Sequence, residues 1–468
     1  MSAALTYLYD RLPVRSRSCA ASVWGGYLRW WRYGSQTERL VEEALEREHW
    51  TEERWKDWQA EQVQYILWRA MRHVPYYREI WMARRRLGDR RSWRHLENWP
   101  VLEKESVRAN PRAFVADDCV PAMMFRERTT GTTGTPLQIW RSRASLLRRY
   151  ALYEARHRRW YGVSRFDRWA IIGGKLVVPP RQRHPPFWVW NAALRQLYLS
   201  SCHIAPGTAR DYAEGLTRHD IRLLWGYTSS LHNLAGEIVR QRLKVAGVRV
   251  VVTNAESLSE IQRRTIAEAF QCPVRETYGM VEFVAAAGEC EQGTLHYWPE
   301  VGKLEVIGNG SGVAAGDLVC TGLQNPDMPL IRYRVGDRSS PLIWDHRCAC
   351  GRRLPAWRGV SGRNSGMLLT TDGRYVSSVN PVLHGQSVRE AQIIQETATR
   401  VRVLYVPDTD FTADSARSIA RRLRNRLGDV QVELEPVGEI PRGPGGKFQP
   451  LINRLTQPER AAATQPLA

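Results

Sequence analysis

The sequence predicts an α/β protein with a large N-terminal domain of mixed sheets, a β-rich subdomain and a small α+β C-terminal lid domain. A chain of 468 residues is too long for one compact core. Short apolar runs alternate with helical patterns through the middle of the chain, which indicates an α/β core. Beyond residue 362 a compact order of strands and one helix begins, which predicts a separate small domain.

Residues 1–95 are predicted to form a helical N-terminal region. Thr37–Trp58 has Glu, Leu, Arg and Trp at the spacing of an amphipathic helix, and Gln62–Met71 continues the pattern until Pro75 stops it. Tyr27–Tyr33 is rich in Trp and Arg. It is interpreted as a helix packing its aromatic face on the protein body, with peripheral contact to a membrane interface as the alternative.

Residues 96–362 are predicted to form the central α/β core. Strands are expected at Ile171-Ile172 and Val248–Thr253, with helices at Ser229–Leu243 and Ser259–Phe270. Lys303–Thr321 predicts a β-hairpin, and its glycine-rich 308–312 segment is interpreted as the turn.

Residues 363–455 are predicted to form a mobile C-terminal lid, and residues 456–468 a disordered Ala/Gln/Pro-rich tail. The lid has strand patterns near 391–396, 401–406 and 430–435, with a helix over 412–427.

Composition indicates a soluble or peripheral globular protein of the cytoplasm. Lys plus Arg total 68 against 48 Asp plus Glu, a net charge of +20 that favours anionic partners or marks an Arg-rich solvated surface. The eight cysteines are mostly scattered, which is unlike a secreted disulfide scaffold. We find no signal pattern and no apolar run near the ~18 residues that span a bilayer.

The stretch Arg128–Leu137 has little apolar content to bury. It reads Arg-Thr-Thr-Gly-Thr-Thr-Gly-Thr-Pro-Leu, so its hydroxyls and backbone amides are free to face a phosphate. It lacks the Lys-Ser/Thr ending of a Walker loop and is no G-x-G-x-x-G turn. Taken alone it is equally consistent with an ordinary surface loop.

Four later segments make this loop interpretable. They are Glu276-Thr277-Tyr278-Gly279-Met280-Val281-Glu282, Pro329–Asp337, Gly359–Arg363 and Glu439–Phe448. In this order the five motifs resemble those of the adenylate-forming superfamily, and most closely its phenylacetate-CoA ligase branch with the capsular-polysaccharide adenylate-forming proteins. Coverage is roughly residues 65 to 452.

The resemblance implies that the core, residues 96–362, binds ATP and the substrate, and it gives each motif a role around ATP and Mg²⁺. The Thr/Gly loop would hold the leaving pyrophosphate, Glu282 would bind Mg²⁺, and Lys447 would bridge the acyl carboxylate and the α-phosphate. The implied catalytic residues are therefore Lys447, Glu282 and Thr133. The implied nucleotide-binding residues are Thr129, Thr130, Gly131, Thr132, Thr133, Gly134, Asn254, Ala255, Glu256, Tyr278, Gly279, Asp337 and Arg363.

Within that set, Tyr278 would stack on adenine, and Asn254-Ala255-Glu256 resembles the family's adenine-facing loop. Asp337 would accept the ribose hydroxyls, and Arg363 would contact ribose or phosphate at the domain junction. Four of the implied residues also have a structural interpretation: Tyr278 as a core aromatic, Glu282 as a helix-start carboxylate, Asp337 as a turn-former and Lys447 as one of many exposed lysines. The sequence departs from the family after Arg363, where Asn364, Ser365 and Gly366 replace the hinge aspartates, and this leaves the second reaction step open.

A structural zinc site is predicted from three cysteines and one histidine. Cys290 and His296 lie close in sequence, and Cys348 and Cys350 supply two further thiols. The spacing is not that of a standard finger, so unpaired reduced thiols are the alternative. Three thiolates and an imidazole would leave no open position for catalysis.

The resulting hypothesis is an AMP-forming ligase that adenylates a small-molecule carboxylic acid and transfers the acyl group to CoA or to an amine or hydroxyl acceptor. Polysaccharide or secondary-metabolite biosynthesis is the implied setting. The alternative from a different class is a basic nucleic-acid- or membrane-binding protein on a decayed ligase fold. No known nucleic-acid module is present in the sequence, which makes nucleic acid the weaker of these partners. An inactive scaffold is a third possibility.

Overall fold

The computed structural model describes residues 9, 12–128, 137–173, 177–179, 182–201, 203–256, 258, 260–308, 315–363, 368–371, 375–376, 380–383, 386–408, 410–438, 440 and 451–455. The Thr/Gly loop, the Lys447 loop and the tail 456–468 lie outside these ranges. For Arg363 the backbone alone is described.

Four helices form most of the N-terminal region: α1 (Val14–Arg32), α2 (Thr37–Arg47), α3 (Glu52–His73) and α4 (Pro75–Arg86). The single helix predicted over Thr37–Trp58 is wrong. Thr51 caps α3, because its hydroxyl accepts a hydrogen bond from the Arg54 amide at 3.3 Å, and this fixes a new helix start. Pro75 occupies the first position of α4, where its missing N–H is harmless.

Helix α1 lies against the outer strand of the main sheet. The Trp190 and Ala192 amides of that strand region donate to the hydroxyls of Ser18 (3.3 Å) and Ser22 (3.0 Å). A Cβ at Gly25 would lie 2.0 Å from Asn191 Oδ1, so only glycine permits this close approach. The predicted Trp/Arg segment is the C-terminal half of this helix.

The main sheet has eight strands in the order β10-β9-β8-β7-β6-β3-β5-β4. Its strands β5, β3, β6, β7 and β8 are parallel neighbours in sheet order, and the remaining pairings are antiparallel. The strands are β3 (Trp169–Ile172), β4 (Trp188–Asn191), β5 (Gln196–Leu199), β6 (Leu223–Tyr227), β7 (Val250–Asn254), β8 (Val274–Gly279), β9 (Ala286–Glu289) and β10 (Leu295–Tyr297).

Helices lie between these strands, as the alternating pattern predicts. A separate hairpin of β1 (Phe125–Arg128) and β2 (Gln138–Arg141) precedes them. The helices of the core are α5 (Lys104–Ala109), α6 (Arg143–His157), α7 (Ala209–Arg218), α8 (Thr228–Arg240) and α9 (Glu260–Phe270). Short 3₁₀ helices occur at Leu96–Asn98, Pro111–Phe114, Pro121–Met123, Arg159–Tyr161 and Pro206–Thr208.

A four-stranded antiparallel sheet forms the β-rich part of the large domain. Its order is β11 (Gly302–Ile307), β12 (Gly316–Gly322), β13 (Tyr333–Ser339) and β14 (Val360–Arg363). The predicted hairpin is confirmed by the β11–β12 pairing, although the turn at 309–314 lies outside the described residues.

The small C-terminal domain is an α+β unit, as predicted. Helix α11 (Ala413–Leu427) packs on a four-stranded sheet in the order β19 (Gln431–Pro436), β18 (Arg400–Pro407), β17 (Val388–Thr397) and β20 (Leu451–Asn453). The remaining elements are β15 (Leu368–Leu369), β16 (Tyr375–Val376) and α10 (Asn380–Leu383).

Candidate functional site

Tyr278 and Asp337 meet although 59 positions separate them in sequence. Tyr278 lies on β8 and Asp337 on β13, and the Tyr278 hydroxyl donates to Asp337 Oδ2 at 2.7 Å. Trp357 stands edge-on to the Tyr278 ring, with centroids 4.8 Å apart. The backbone of Asp337 pairs with that of Arg363 on β14. The main sheet and the β-rich sheet therefore join at these motif residues.

Glu282, three residues beyond β8, is buried beside the same strand. Its Oε1 atom accepts hydrogen bonds from the Tyr333 hydroxyl at 2.9 Å and from Lys104 Nζ at 3.0 Å. Tyr333 begins β13, four residues before Asp337, so one strand links both predicted acids. These contacts bring Glu282 and Asp337 into one neighbourhood.

The charge state of Glu282 depends on Lys104. Burial alone would raise the pKa of this carboxyl, but the Lys104 charge and the hydrogen bonds from Lys104 and Tyr333 outweigh it and lower the pKa. Burial, and then the charge of Glu282, raise the pKa of Tyr333, so that phenol stays protonated. Glu282 is consequently an anion, and a hard carboxylate of this kind suits Mg²⁺.

Arg141 ties the ends of the predicted phosphate loop to this acid. It lies on β2, where its guanidinium donates to the carbonyl oxygens of Val281 (2.6 Å) and Glu282 (2.9 Å). The same group pairs with Glu127 on β1 at 2.7 Å. Because β1 and β2 flank residues 129–136, the described ends of the Thr/Gly segment are fixed beside Glu282. The residues between, Thr129 to Pro136, lie outside the described part.

Asn254, Ala255 and Glu256 follow the next parallel strand. Asn254 ends β7. Its side-chain amide nitrogen donates to the Gly226 carbonyl oxygen and its amide oxygen accepts from the Trp225 indole N–H, both at 2.9 Å. Ala255 has φ 63°, and the Thr228 hydroxyl donates to the Glu256 carbonyl at 3.0 Å. Because β7 and β8 are parallel, this turn and the end of β8 lie at the same edge of the sheet.

The Glu256 side chain reaches the small domain. Its carboxylate forms a buried ion pair with Arg426 of α11. A second contact joins the two domains nearby, since Asn425 Nδ2 donates to Asn233 Oδ1 at 3.2 Å. In this conformation the turn predicted to face adenine therefore also contacts the small domain.

The four predicted zinc ligands converge. Their sulfur and nitrogen atoms lie within 4.8 Å of one another: Cys290 and Cys348 sulfurs are 3.7 Å apart, and Cys350 Sγ is 3.4 Å from His296 Nε2. His296 Nδ1 faces the Leu354 carbonyl oxygen at 2.9 Å, which assigns the proton to Nδ1 and directs the Nε2 lone pair into the cluster. Burial lowers the pKa of His296 to about 4, so the ring is neutral.

Burial also raises the pKa of Cys290 to about 12 when no cation is near. A divalent cation at this point would favour the thiolate form of the cysteine. The donor set and the spacing of the atoms fit a closed tetrahedral site.

Sequence reasoning missed three of the residues that build the site: Lys104, Arg141 and Arg426. Each acts over more than a hundred positions and none belongs to a quoted motif, so no local signal marks it. Tyr333 stood within the Pro329–Asp337 motif, but no role was predicted for it.

Comparison with known proteins finds relatives of this chain in sequence and in structure. The CapK C-terminal domain family matches residues 368–454. Protein CapK of Staphylococcus aureus is 25% identical over 399 residues, covering 82% of this chain and 86% of the relative. A phenylacetate-coenzyme A ligase of Thermus thermophilus is 27% identical over 237 residues, covering 43% of this chain and 53% of the relative.

Among solved structures, 2-hydroxyisobutyryl-CoA ligase in the postadenylation state superposes with a TM-score of 0.55 at 19% identity, covering 89% of this chain and 93% of the other. Its thioesterification state gives a TM-score of 0.55 at 20% identity, with 87% and 91% covered.

The described part of the chain has the fold of the 2-hydroxyisobutyryl-CoA ligase structures. In sequence the chain is similar to CapK and to phenylacetate-CoA ligase, two relatives in the branch that its motifs resemble. Among the residues that the structure describes, no helix combines the length and apolarity needed to cross a membrane.

Proposed function

We propose that this protein activates a carboxylic acid with ATP, releasing pyrophosphate and holding an acyl-AMP. The observation that carries the proposal is the pair of contacts on β13, Tyr333 to Glu282 and Asp337 to Tyr278. Glu282, beside the ends of the Thr/Gly segment, contacts β13, and Asp337 lies on β13. This arrangement supports a cation-binding role for Glu282 and a ribose-binding role for Asp337. Attack of a carboxylate on a phosphate needs orientation and charge neutralisation more than covalent help.

Each side chain then has a specific task. The Asp337 carboxylate would accept both ribose hydroxyls, and Tyr278 would present its ring to adenine from β8. Lys104 holds Glu282 ionised until Mg²⁺ is bound, and Mg²⁺ supplies charge neutralisation on the phosphates. Residues 129–134 would hold the departing pyrophosphate, Arg363 the ribose or phosphate, and Lys447 the reacting carboxylate.

ATP–pyrophosphate exchange over a panel of acids tests this proposal. Lys447→Ala and Glu282→Gln should each lower exchange at least 100-fold, since each removes a charge that acts on the reacting phosphate. Asp337→Asn should mainly weaken ATP binding. Glu433→Gln, an exposed carboxylate on the small domain, is the control and should leave exchange unchanged. Exchange by no acid, together with unaltered ATP binding in Asp337→Asn, would refute the proposal.

The acceptor of the second step is proposed to be CoA, or an amine or hydroxyl group in polysaccharide or secondary-metabolite assembly. Support comes from the similarity to phenylacetate-coenzyme A ligase and to 2-hydroxyisobutyryl-CoA ligase, and from the resemblance to capsular-polysaccharide proteins. We place the reaction in the cytoplasm, where ATP, CoA and reduced cysteines coexist. Release of AMP measured with and without CoA separates the two acceptor classes.

We further propose that the Cys290, His296, Cys348 and Cys350 cluster binds a structural Zn²⁺. Its ligands would join the β9–β10 hairpin to the loop before Trp357, the residue that supports Tyr278. The neutral imidazole and its oriented Nε2 support this role, and a full set of four protein ligands gives no opening for substrate.

Contact with an anionic membrane surface is the second candidate activity. Four side chains on α1 are exposed although apolar or aromatic: Val23, Trp24, Tyr27 and Trp30. Aromatic residues beside arginines are typical of interfacial helices. Sedimentation with phosphatidylglycerol vesicles should recover the wild type and lose Trp24→Ser. A protein that instead binds nucleic acid would retain DNA with a steep salt dependence.

A further inference from the structure

A large cavity adjoins the candidate adenylation site. Its volume is about 810 Å³, within the range of small-molecule sites. Asn254 and Trp225 line one part of it, and residues of α1, including Arg29, Trp30 and Arg32, line another. The cavity therefore extends from the turn predicted to face adenine to the N-terminal helix.

The described lining of this cavity is strongly basic. It contains Arg29, Arg32, Arg158, Arg165 and Arg195, and no aspartate or glutamate. Two of these arginines already lie close to a carboxylate that is not part of the cavity lining. Arg158 and Arg165 lie 3.4 and 3.5 Å from Glu154, and the hydroxyl of Tyr33 accepts from Arg158 at 3.3 Å.

Arg32 is different. Among the described residues it has no carboxylate partner, and its guanidinium carbon lies 4.5 Å from the Tyr150 ring centroid. Stacking on an aromatic face orients an arginine while leaving its N–H donors directed outward. The half-buried Arg32 is thus a fixed cation facing the cavity.

Gln196 supplies an independent sign of a polar ligand. This residue begins β5, is 2% exposed and lines the same cavity, yet its Oε1 atom has no hydrogen-bond partner within the described part of the chain. A buried amide oxygen without a donor is unfavourable by itself. A ligand hydroxyl or amide, or ordered water, would satisfy it.

We propose that this cavity binds the acid substrate and selects an acid that has a second anionic group on a ring. The ring would lie among Tyr150, Tyr153 and Trp225, the second anion would meet Arg32, and a ring hydroxyl would donate to Gln196. The reacting carboxylate would lie at the Asn254 end. This inference rests on the proposed adenylation, and it assigns to α1 the role of selecting the substrate.

Matched acids that differ by one anion test the selection. Benzoate is compared with isophthalate, and 4-hydroxybenzoate with its phosphate ester, both by calorimetric binding and by ATP–pyrophosphate exchange. The dianionic member of at least one pair should bind at least tenfold more tightly. Arg32→Gln should remove about 10- to 100-fold of that preference, as expected for a charge-assisted hydrogen bond.

Three variants define how Arg32 acts. Arg32→Lys should retain part of the preference, because it keeps the charge. Arg39→Gln, an exposed arginine paired with Glu43 on the neighbouring helix, is the matched control and should retain all of it. Gln196→Leu should weaken hydroxylated acids while leaving isophthalate binding near that of the wild type.

The outcomes separate this inference from the proposed function. Exchange with monoanionic acids that Arg32→Gln leaves unchanged would overturn the inference and leave adenylation standing. Binding of dianionic acids that depends on Arg32, without exchange by any acid, would support the cavity assignment and refute adenylation. Equal binding of both members in every pair, including pairs in which neither binds, would overturn the inference.

Discussion

The ion pair between Glu256 and Arg426 predicts how firmly the small domain is held. Both side chains are almost fully buried, with 7% and 3% of their surfaces exposed. Truncating one member of a buried pair typically costs about 3–5 kcal/mol, because the other charge stays desolvated. Undocking of the predicted mobile lid would rehydrate Glu256, so the docking free energy should fall by less, about 2–3 kcal/mol.

We therefore expect Arg426→Ala to shift the ratio of docked to undocked small domain about 30- to 150-fold towards the undocked form. The Asn425–Asn233 hydrogen bond is a further polar contact in this region, and because it is exposed it stabilises the docked form little. Small-angle X-ray scattering at moderate salt measures the result as a larger radius of gyration and a broader distance distribution.

Arg417→Ala is the control for this experiment. Arg417 lies on the same helix, is 72% exposed and pairs locally with Asp414. Its scattering should match the wild type. If Arg426→Ala also gives the wild-type curve while remaining folded, the ion pair does not hold the domains together and the argument from burial is incorrect.

Two further predictions concern buried groups. Wild-type protein should contain about one zinc per chain, and Cys290→Ser should lose the metal and unfold at a lower temperature. Cys19 is an exposed cysteine outside the cluster, so Cys19→Ser should change neither the zinc content nor the unfolding temperature. Retention of zinc in Cys290→Ser would contradict the cluster assignment. Burial, with the charges of Arg158 and Arg156, lowers the pKa of His157 to about 3. Between pH 6.5 and 3 this histidine is therefore protonated in the unfolded chain but not in the folded one, so the free energy of unfolding falls as the pH is lowered. From pH 7.5 to 5 wild type should lose about 2 kcal/mol more than His157→Phe, measured by urea unfolding; equal losses would show that His157 is protonated in the fold.

The order of elements was accessible from the sequence because it is written locally. Apolar runs such as Val248–Thr253 and the helix over 412–427 have their own periodicity, and both elements are present in the structure. The break between α2 and α3 could not be predicted from the sequence, because Thr51 is a single capping residue inside a continuous amphipathic pattern.

The site divides in the same way. The resemblance named Tyr278, Glu282 and Asp337 in advance, and the structure brings them together around β13. Lys104 and Arg141 were not predicted, because their importance comes from which carbonyl or carboxylate they meet after folding. The roles of the Thr/Gly loop and of Lys447 stay predictions, since both lie outside the described residues.

The contact of α1 with β4 has a practical consequence for protein production. Ser18 and Ser22 occupy amides at the outer side of the sheet, where a further strand would otherwise add. A shortened version beginning at Thr37 would keep every motif of the family and still lose this cover. Such a truncation is expected to self-associate through the uncovered edge, so the first 36 residues belong in any version made for crystallisation or assay.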